Sequence, residues 1–355
     1  MSDQKTIYDI DPNFRIGSTL DKTDVVFRDI RQSPFSIHGV FFADGKFRRM
    51  PESVARAVSE GVYCLHANAA GGRVRFRTDS PYIAIAAELA NIGKMPHFAL
   101  TGSAGFDLYV REDGAERYAG TFTPPFAVER SFTSVIEFET QRLREITIDF
   151  PLYTDVCTLL IGLAEDAALQ PPHRYRIERP VIYYGSSITQ GGCASRPGSS
   201  YQAVISRRLD CDYRNLGFSG AAKAEPEMID YLKKQDMSLF VCDYDHNAPS
   251  PEHLQQTHET LFRAVRETHP DLPVILMSRP RFFLNADARR RLEIIRQTYE
   301  RALVAGDRHV WLLTGPELMQ YAGNEGTVDG IHPTDYGFAS MARTLGDLMQ
   351  TIPFG

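Results

Sequence analysis

Much that would define a familiar class of protein is scarce in these 355 residues. No long apolar run is present, so no segment is predicted to cross a membrane. No stretch is rich in lysine and arginine, and the net charge is −6, which leaves nucleic-acid binding with little electrostatic support. The short run Arg289-Arg290-Arg291 is expected on the solvated face of a helix. The five cysteines (Cys64, Cys157, Cys193, Cys211 and Cys242) are odd in number, scattered, and form no C-x-x-C pair. They read as free thiols in a reducing compartment rather than as a disulfide framework. The opening Met1-Ser2-Asp3-Gln4-Lys5 has no apolar core resembling a signal peptide, so a cytoplasmic location is expected. No H-E-x-x-H and no second close histidine pair completes a ligand set, so no metal and no organic cofactor is expected. A G-x-S-x-G elbow is missing too, which argues against the common α/β-hydrolase arrangement.

What is there divides into two halves. The length suits roughly two domains, and 43% hydrophobic with 24% charged residues is ordinary for a globular chain. Up to about residue 168 the apolar pattern has period two, as in Arg73-Val74-Arg75-Phe76-Arg77, Tyr82-Ile83-Ala84-Ile85, Val135-Ile136-Glu137-Phe138 and Glu145-Ile146-Thr147-Ile148-Asp149-Phe150. Turn clusters such as Ala70-Gly71-Gly72 and Thr78-Asp79-Ser80-Pro81 separate these runs, which predicts an antiparallel β-sandwich. Only Glu52 to Glu60 reads as helical there. After Pro171-Pro172 the character changes. Continuous apolar strands (Pro180–Tyr184, Leu239–Cys242, Pro273–Met277, Val310–Leu313) alternate with amphipathic helices carrying Leu254, Leu261, Phe262 and Val265, then Leu292, Ile295, Tyr299, Ala302 and Leu303, then Phe338, Met341, Ala342, Leu345 and Leu348. That alternation predicts a parallel sheet covered on both faces.

Four short segments in the second half carry chemistry. They are Gly185-Ser186-Ser187-Ile188-Thr189, Asn215-Leu216-Gly217-Phe218-Ser219-Gly220, Asp243-Tyr244-Asp245-His246-Asn247 and Asp329-Gly330-Ile331-His332-Pro333. In an open parallel sheet, ligands bind outside the carboxyl ends of the strands, and all four segments are expected at that rim. A serine after a strand, a histidine to take its proton and an aspartate to orient the histidine are what acyl transfer requires. Ser187, His332 and Asp329 are the candidates. The N–H of Ser187, the N–H of Gly220 and the side-chain amide of Asn247 are candidate oxyanion donors. Each feature also has a plain reading: Gly185-Ser186-Ser187 as a turn, Gly220 and Asn247 as loop residues, Asp-x-x-His as a helix start with Asp335 as its cap. His246 reads as a loop residue rather than a second base.

As a set, the four segments resemble the signature blocks of the SGNH (GDSL-type) hydrolase superfamily. Ser187 matches the serine of the first block, Gly220 the glycine of the second, Asn247 the asparagine of the third, and Asp329 with His332 the last pair. Two departures are plain. Ser186 stands where the family has Asp, and the third block reads Asp-His-Asn-Ala instead of Gly-x-Asn-Asp. Upstream, Gly105-Phe106-Asp107-Leu108-Tyr109 is similar to the Gly-x-Asp-Leu-Tyr region that precedes some SGNH esterases. The resemblance implies an α/β chain: a flavodoxin-like three-layer hydrolase domain with a parallel sheet over residues 173–355, preceded by a jelly-roll-like antiparallel β-sandwich over residues 1–172. It implies a serine esterase acting through an acyl-serine, first of all a carbohydrate O-acetylesterase. An acyltransferase using the same triad and a non-catalytic sugar-binding protein remain as alternatives. The expected partner is a small acylated substrate, an acetylated sugar, with neither nucleic acid nor membrane, and homo-oligomers are compatible with the sequence. The sandwich reads as a wall or lid for the pocket; Tyr109, Tyr118 and Phe122 would be the flat apolar faces if it bound sugar instead.

Overall fold

The computed structural model describes residue 11 and residues 20–354. In the first half, strands β1 (Val25–Asp29), β2 (Ser36–His38), β3 (Phe41–Ala43), β4 (Lys46–Arg48), β5 (Arg73–Thr78), β6 (Tyr82–Ala90), β7 (Phe106–Glu112), β8 (Ala115–Phe122), β9 (Ser131–Glu137), β10 (Arg144–Asp149), β11 (Asp155–Ala164) and β12 (Leu169–Gln170) follow in order. They build two large antiparallel sheets, β1-β11-β6-β9 and β12-β5-β10-β7-β8 with β2 also paired to β5, and a separate two-stranded ribbon, β3-β4. The apolar members of the alternating strands, among them Val74, Phe76, Ile83, Ile85, Ile146 and Ile148, meet between the sheets as one core. Their polar neighbours Arg73, Arg75, Glu145, Thr147 and Asp149 are buried as well. The outer face of β5 and β10 packs on the second half of the chain, so the polar side of the alternation is a seam and not a wet surface.

That second half holds β13 (Ile177–Gly185), β14 (Cys211–Gly217), β15 (Leu239–Asp243), β16 (Val274–Met277) and β17 (Val310–Leu313). All pair in parallel, in the order β14-β13-β15-β16-β17. This is the flavodoxin-like 2-1-3-4-5 order, in which the sheet grows both ways from its first strand and leaves a crevice at that strand's carboxyl end. Helices Tyr201–Leu209 and Asp335–Thr351 cover one face; Pro226–Leu232, Pro251–Thr268 and Ala286–Val304 cover the other.

The early helical segment departs from expectation. Ser59, in extended backbone, ends one helix (Glu52–Val58) and caps a second (Glu60–Leu65), its hydroxyl accepting from Val62 N at 3.2 Å. A further short helix spans Leu100–Ser103. Ala55, Val58 and Val62 join Leu216 and Met228 in the core of the parallel sheet. Among the described residues no helix is long and apolar enough to cross a membrane.

Candidate active site

β13 ends at Gly185, and the chain turns at once into a one-turn helix, Ser187–Gln190. The turn is tight enough to demand glycine: a Cβ on Gly185 would sit 2.1 Å from Thr189 Oγ1, and one on Gly217, at the end of β14, 2.2 Å from Gln190 N. Ser186 caps the helix, its hydroxyl accepting from Ile188 N at 3.2 Å. Ser187 is the first helical residue, where a backbone N–H has no partner within the helix.

Ser187 Oγ lies 2.9 Å from His332 Nε2, and His332 Nδ1 lies 2.7 Å from Asp329 Oδ2. The other carboxylate oxygen of Asp329 accepts from the backbone N–H of Ile331 at 2.9 Å and of His332 at 2.7 Å. Burial works to raise the Asp329 pKa, but these donors outweigh it and bring it down to about 2. The carboxylate is therefore ionised at neutral pH, and it favours the tautomer with the proton on Nδ1. Nε2 then presents its lone pair to the serine hydroxyl. The structure thus brings the three predicted residues into one hydrogen-bonded line.

The predicted donors are linked through the backbone of the neighbouring rim loops. Phe218 N donates to Gly185 O at 2.9 Å, and Asn247 Nδ2 donates to Phe218 O at 2.7 Å, leaving its second amide proton for another acceptor. Gly220 adopts a left-handed φ of +68°, and a Cβ there would meet nothing within 4 Å. Asp245, beside them, is buried and pinned by the Arg279 and Arg291 guanidiniums at 3.3 and 3.5 Å. Arg291 also donates to Asp245 O and Ala248 O at 3.1 and 3.0 Å. This corrects the reading of Arg289-Arg290-Arg291 as solvated: Arg291 faces inward and holds the Asn247 loop. His246 is driven down to about 3, first by burial and then by Arg279, Arg281, His332 and Arg291. It stays neutral.

Sequence reasoning missed several neighbours. Gln190 Oε1 accepts from Ser219 N at 3.0 Å, while its Nε2 donates to Asn68 Oδ1 at 3.1 Å and Leu152 O at 3.3 Å. Tyr153 OH donates to Ser187 O at 3.1 Å. The cap expected at Asp335 falls instead on Thr334: Asp335 is the first residue of the helix, and its carboxylate accepts from Ser195 N at 2.8 Å. His97 and Cys193 stand beside His332. Asn68, His97, Leu152 and Tyr153 all precede residue 173, so the first half contributes directly to the surroundings of Ser187. No spacing signal ties such residues to a serine so far along the chain.

The sugar-binding surface imagined for the sandwich is not there as such. Phe122 and Tyr109 are buried, and exposed Tyr118 has the Arg196 guanidinium 4.2 Å from its ring centre. Tyr109 instead hydrogen-bonds Arg196, whose Nη1 also donates to the buried Asp107 at 2.9 Å. Asp107 takes Gly198 N at 2.9 Å as well. The Gly-x-Asp-Leu-Tyr segment is thus a clasp on the loop between Ser187 and the next helix. A cleft lined by Glu259, Arg263, Arg266 and Asp307 lies at the opposite rim of the parallel sheet and has no part in this constellation.

A five-stranded flavodoxin-like sheet with a serine, a histidine and an aspartate gathered at its carboxyl rim defines an SGNH-type hydrolase. Family comparison agrees over both halves: residues 178–350 match the GDSL-like lipase/acylhydrolase family and residues 25–169 match the Gly-x-Asp-Leu-Tyr N-terminus of SGNH hydrolase-type esterases. The chain belongs to this family and is a carboxylic ester hydrolase. Among solved structures, a GDSL-like lipase of Bacteroides ovatus is similar over 93% of this chain and 99% of its own, at 27% identity and a TM-score of 0.83. A salicylyl-acyltransferase from a tetracycline biosynthetic pathway aligns over 93% and 98%, at 20% identity and TM-score 0.75. A family two carbohydrate esterase of Cellvibrio japonicus aligns over 92% and 97%, at 13% identity and TM-score 0.60. The last two share the fold. Comparison with curated proteins found no match.

Proposed function

We propose that Ser187, His332 and Asp329 form the catalytic triad of a carbohydrate O-acetylesterase. The observation that carries this reading is the unbroken line from Ser187 Oγ through the imidazole to Asp329, at 2.9 and 2.7 Å. Ser187 Oγ attacks the ester carbonyl carbon as its proton passes to His332 Nε2. The resulting oxyanion is held by the N–H groups of Ser187 and Gly220 and by the free amide proton of Asn247. Collapse expels the alcohol, which takes the proton from His332 and leaves an acyl-serine. Water then attacks by the same route, releasing the acid and restoring the serine. Asp329 stays ionised throughout and orients the ring.

The carbohydrate step rests on fold likeness to carbohydrate esterases and on the sequence pattern, which is analogy rather than residue chemistry. Transfer of the acyl group to a bound alcohol is the second reading, favoured by the likeness to the acyltransferase. The two half-sequences act as one unit, with residues 1–172 as wall and brace and residues 173–355 carrying the triad. Five free cysteines suit a reducing, cytoplasmic setting.

The test pairs labelling with a substrate panel. A fluorophosphonate should label Ser187, Ser187→Ala should abolish turnover with the fold intact, and Ser186→Ala should keep substantial activity. Label on another serine would sink the assignment. Turnover of acetylated sugars and short p-nitrophenyl esters, read with and without candidate acceptor alcohols, separates hydrolysis from transfer; failure on every acetylated sugar removes the substrate proposal.

A further inference from the structure

His332 has neighbours that the triad does not use. His97, from the loop before the Leu100–Ser103 helix, and Cys193, from the turn after the serine helix, each bring a donor atom close, so that one atom from each of the three residues lies within 4.8 Å of the other two. The His97 and His332 rings are 6.0 Å apart, and His97 Nε2 is 4.0 Å from Asp329 Oδ2. The preceding residue, Gly192, lets the turn lie against the imidazole: a Cβ there would be 3.4 Å from His332 Cδ2 and 3.0 Å from Ser187 O. Cys193 itself holds a left-handed φ of +73°, a conformation that a cysteine rarely adopts. Two imidazoles and a sulfur with donor atoms within 4.8 Å of one another, and a carboxylate behind them, make a donor set suited to a borderline or soft divalent cation.

We propose that His97, Cys193 and His332 form a three-ligand site for a divalent cation of the zinc type, and that binding there switches the esterase off. Zinc bonds of about 2.0–2.3 Å place tetrahedral donor atoms roughly 3.3–3.7 Å apart. Closing from 4.8 Å or less to that spacing takes side-chain rotation, which exposed His97 can supply. A neutral imidazole has one lone pair. With the Nδ1 proton held on Asp329, that pair is on Nε2, the same pair that accepts the serine proton. A cation bound there displaces Ser187 Oγ, and one bound at Nδ1 would displace Asp329. Either way the line through the ring is broken. On binding, the Cys193 thiol loses its proton to solvent as the S–Zn bond forms, with no change of oxidation state. Asp329 adds negative charge without being a ligand. The metal is an inhibitor here and takes no part in the chemistry, which is consistent with a triad that works without one.

The inhibition rests on the triad reading, so binding is measured apart from activity. Metal-free protein titrated with zinc chloride should bind one ion per chain by calorimetry, and Ser187→Ala should bind it too. Cys193→Ser should lose that binding, and His97→Ala should weaken it at least tenfold. With cobalt as the probe, wild type should show a sulfur-to-metal charge-transfer band that Cys193→Ser lacks. In an esterase assay, zinc should reduce turnover at least tenfold and a chelator should restore it. Cys193→Ser and His97→Ala should keep metal-free activity and resist zinc. Magnesium, which takes oxygen ligands, should have no effect. Zinc binding unchanged in Cys193→Ser, or equal inhibition by magnesium, overturns the site. Zinc binding at Cys193 without any esterase activity in metal-free enzyme leaves the site standing and overturns the triad.

Discussion

The two halves of this molecule bury their strands in different ways. In β13–β17 both faces are apolar, and each is sealed by helices carrying leucine, isoleucine and methionine. In β5 and β10 one face is apolar while the other buries Arg73, Arg75, Glu145 and Asp149. Arg75 and Glu145 pair with each other at 2.7 Å, while the other two meet partners on the second half: Arg73 pairs with Asp212, and Arg207 lies 3.7 Å from Asp149. Close by, Arg111 makes a bidentate pair with Asp210 at 2.9 and 3.0 Å. A seam of buried ion pairs is a poor source of net stability, since desolvation cancels much of the attraction, but it tolerates only one alignment. The sandwich is therefore a register device. It fixes the loops around Ser187 from behind, through Asn68, Leu152 and Tyr153.

The largest effect should come from cutting that seam. Asp107 is fully buried and receives Arg196, Gly198 N and Thr121 Oγ1. Asp107→Ala should cost about 3–5 kcal/mol, because it strands a cation and a buried N–H that had a partner. Denaturant unfolding measures it. The exposed pair of Arg130 and Glu88 on the same sandwich, 2.7 Å apart, is the control, and Glu88→Ala should leave the transition where it was. Equal, small effects at both positions would mean that the seam is no more than a surface.

Next in size is the rim of the parallel sheet. Asn247 has one amide proton committed to Phe218 O and one free. If the free proton meets the oxyanion, Asn247→Ala should lower kcat by roughly 10²–10³ with little change in KM. The fold should survive, because Arg279 and Arg291 hold this loop through Asp245. A loss confined to KM would make Asn247 a substrate-binding residue and remove it from the oxyanion hole.

How much of this was legible beforehand follows from what each signal measures. Period-two runs placed β5, β6, β9 and β10 because they report one buried face of a strand, and continuous apolar runs between amphipathic helices gave the parallel sheet because they report strands buried on both faces. Order along the chain put Ser187, Gly220, Asn247, Asp329 and His332 at one rim. Periodicity says nothing of what covers a polar face, so the burial of Arg73 and Asp149 was unreadable. Arg291 was misread for the same reason: its stem lies on a helix flank that faces a loop carbonyl and not water. His97 and Cys193, which lie beside His332 without entering the triad, and Gln190 were missed because only tertiary packing brings them there.

The smallest expected effect is in pH dependence, and it separates the interior of the parallel sheet from its rim. Asp243, the last residue of β15, is buried, accepting from Thr189 Oγ1 at 2.9 Å and Tyr201 OH at 3.2 Å. Burial raises its pKa to about 7 against those donors, whereas Asp329 at the rim sits at about 2. The signs are opposite. For Asp243 the folded state holds a proton that the unfolded state has released, so stability falls as pH rises from about 4 towards 7. For Asp329 the ionised form is the favoured one, and its contribution is lost as pH falls from about 4 towards 2. Asp243→Asn keeps an acceptor for both hydroxyls but cannot ionise. Relative to wild type it should therefore gain stability between pH 4 and pH 8, by about 1–2 kcal/mol once local relaxation is allowed for. Unfolding transitions of the two proteins across that range are the measurement. A gap that stays constant with pH would show that Asp243 ionises as freely in the folded sheet as in the unfolded chain.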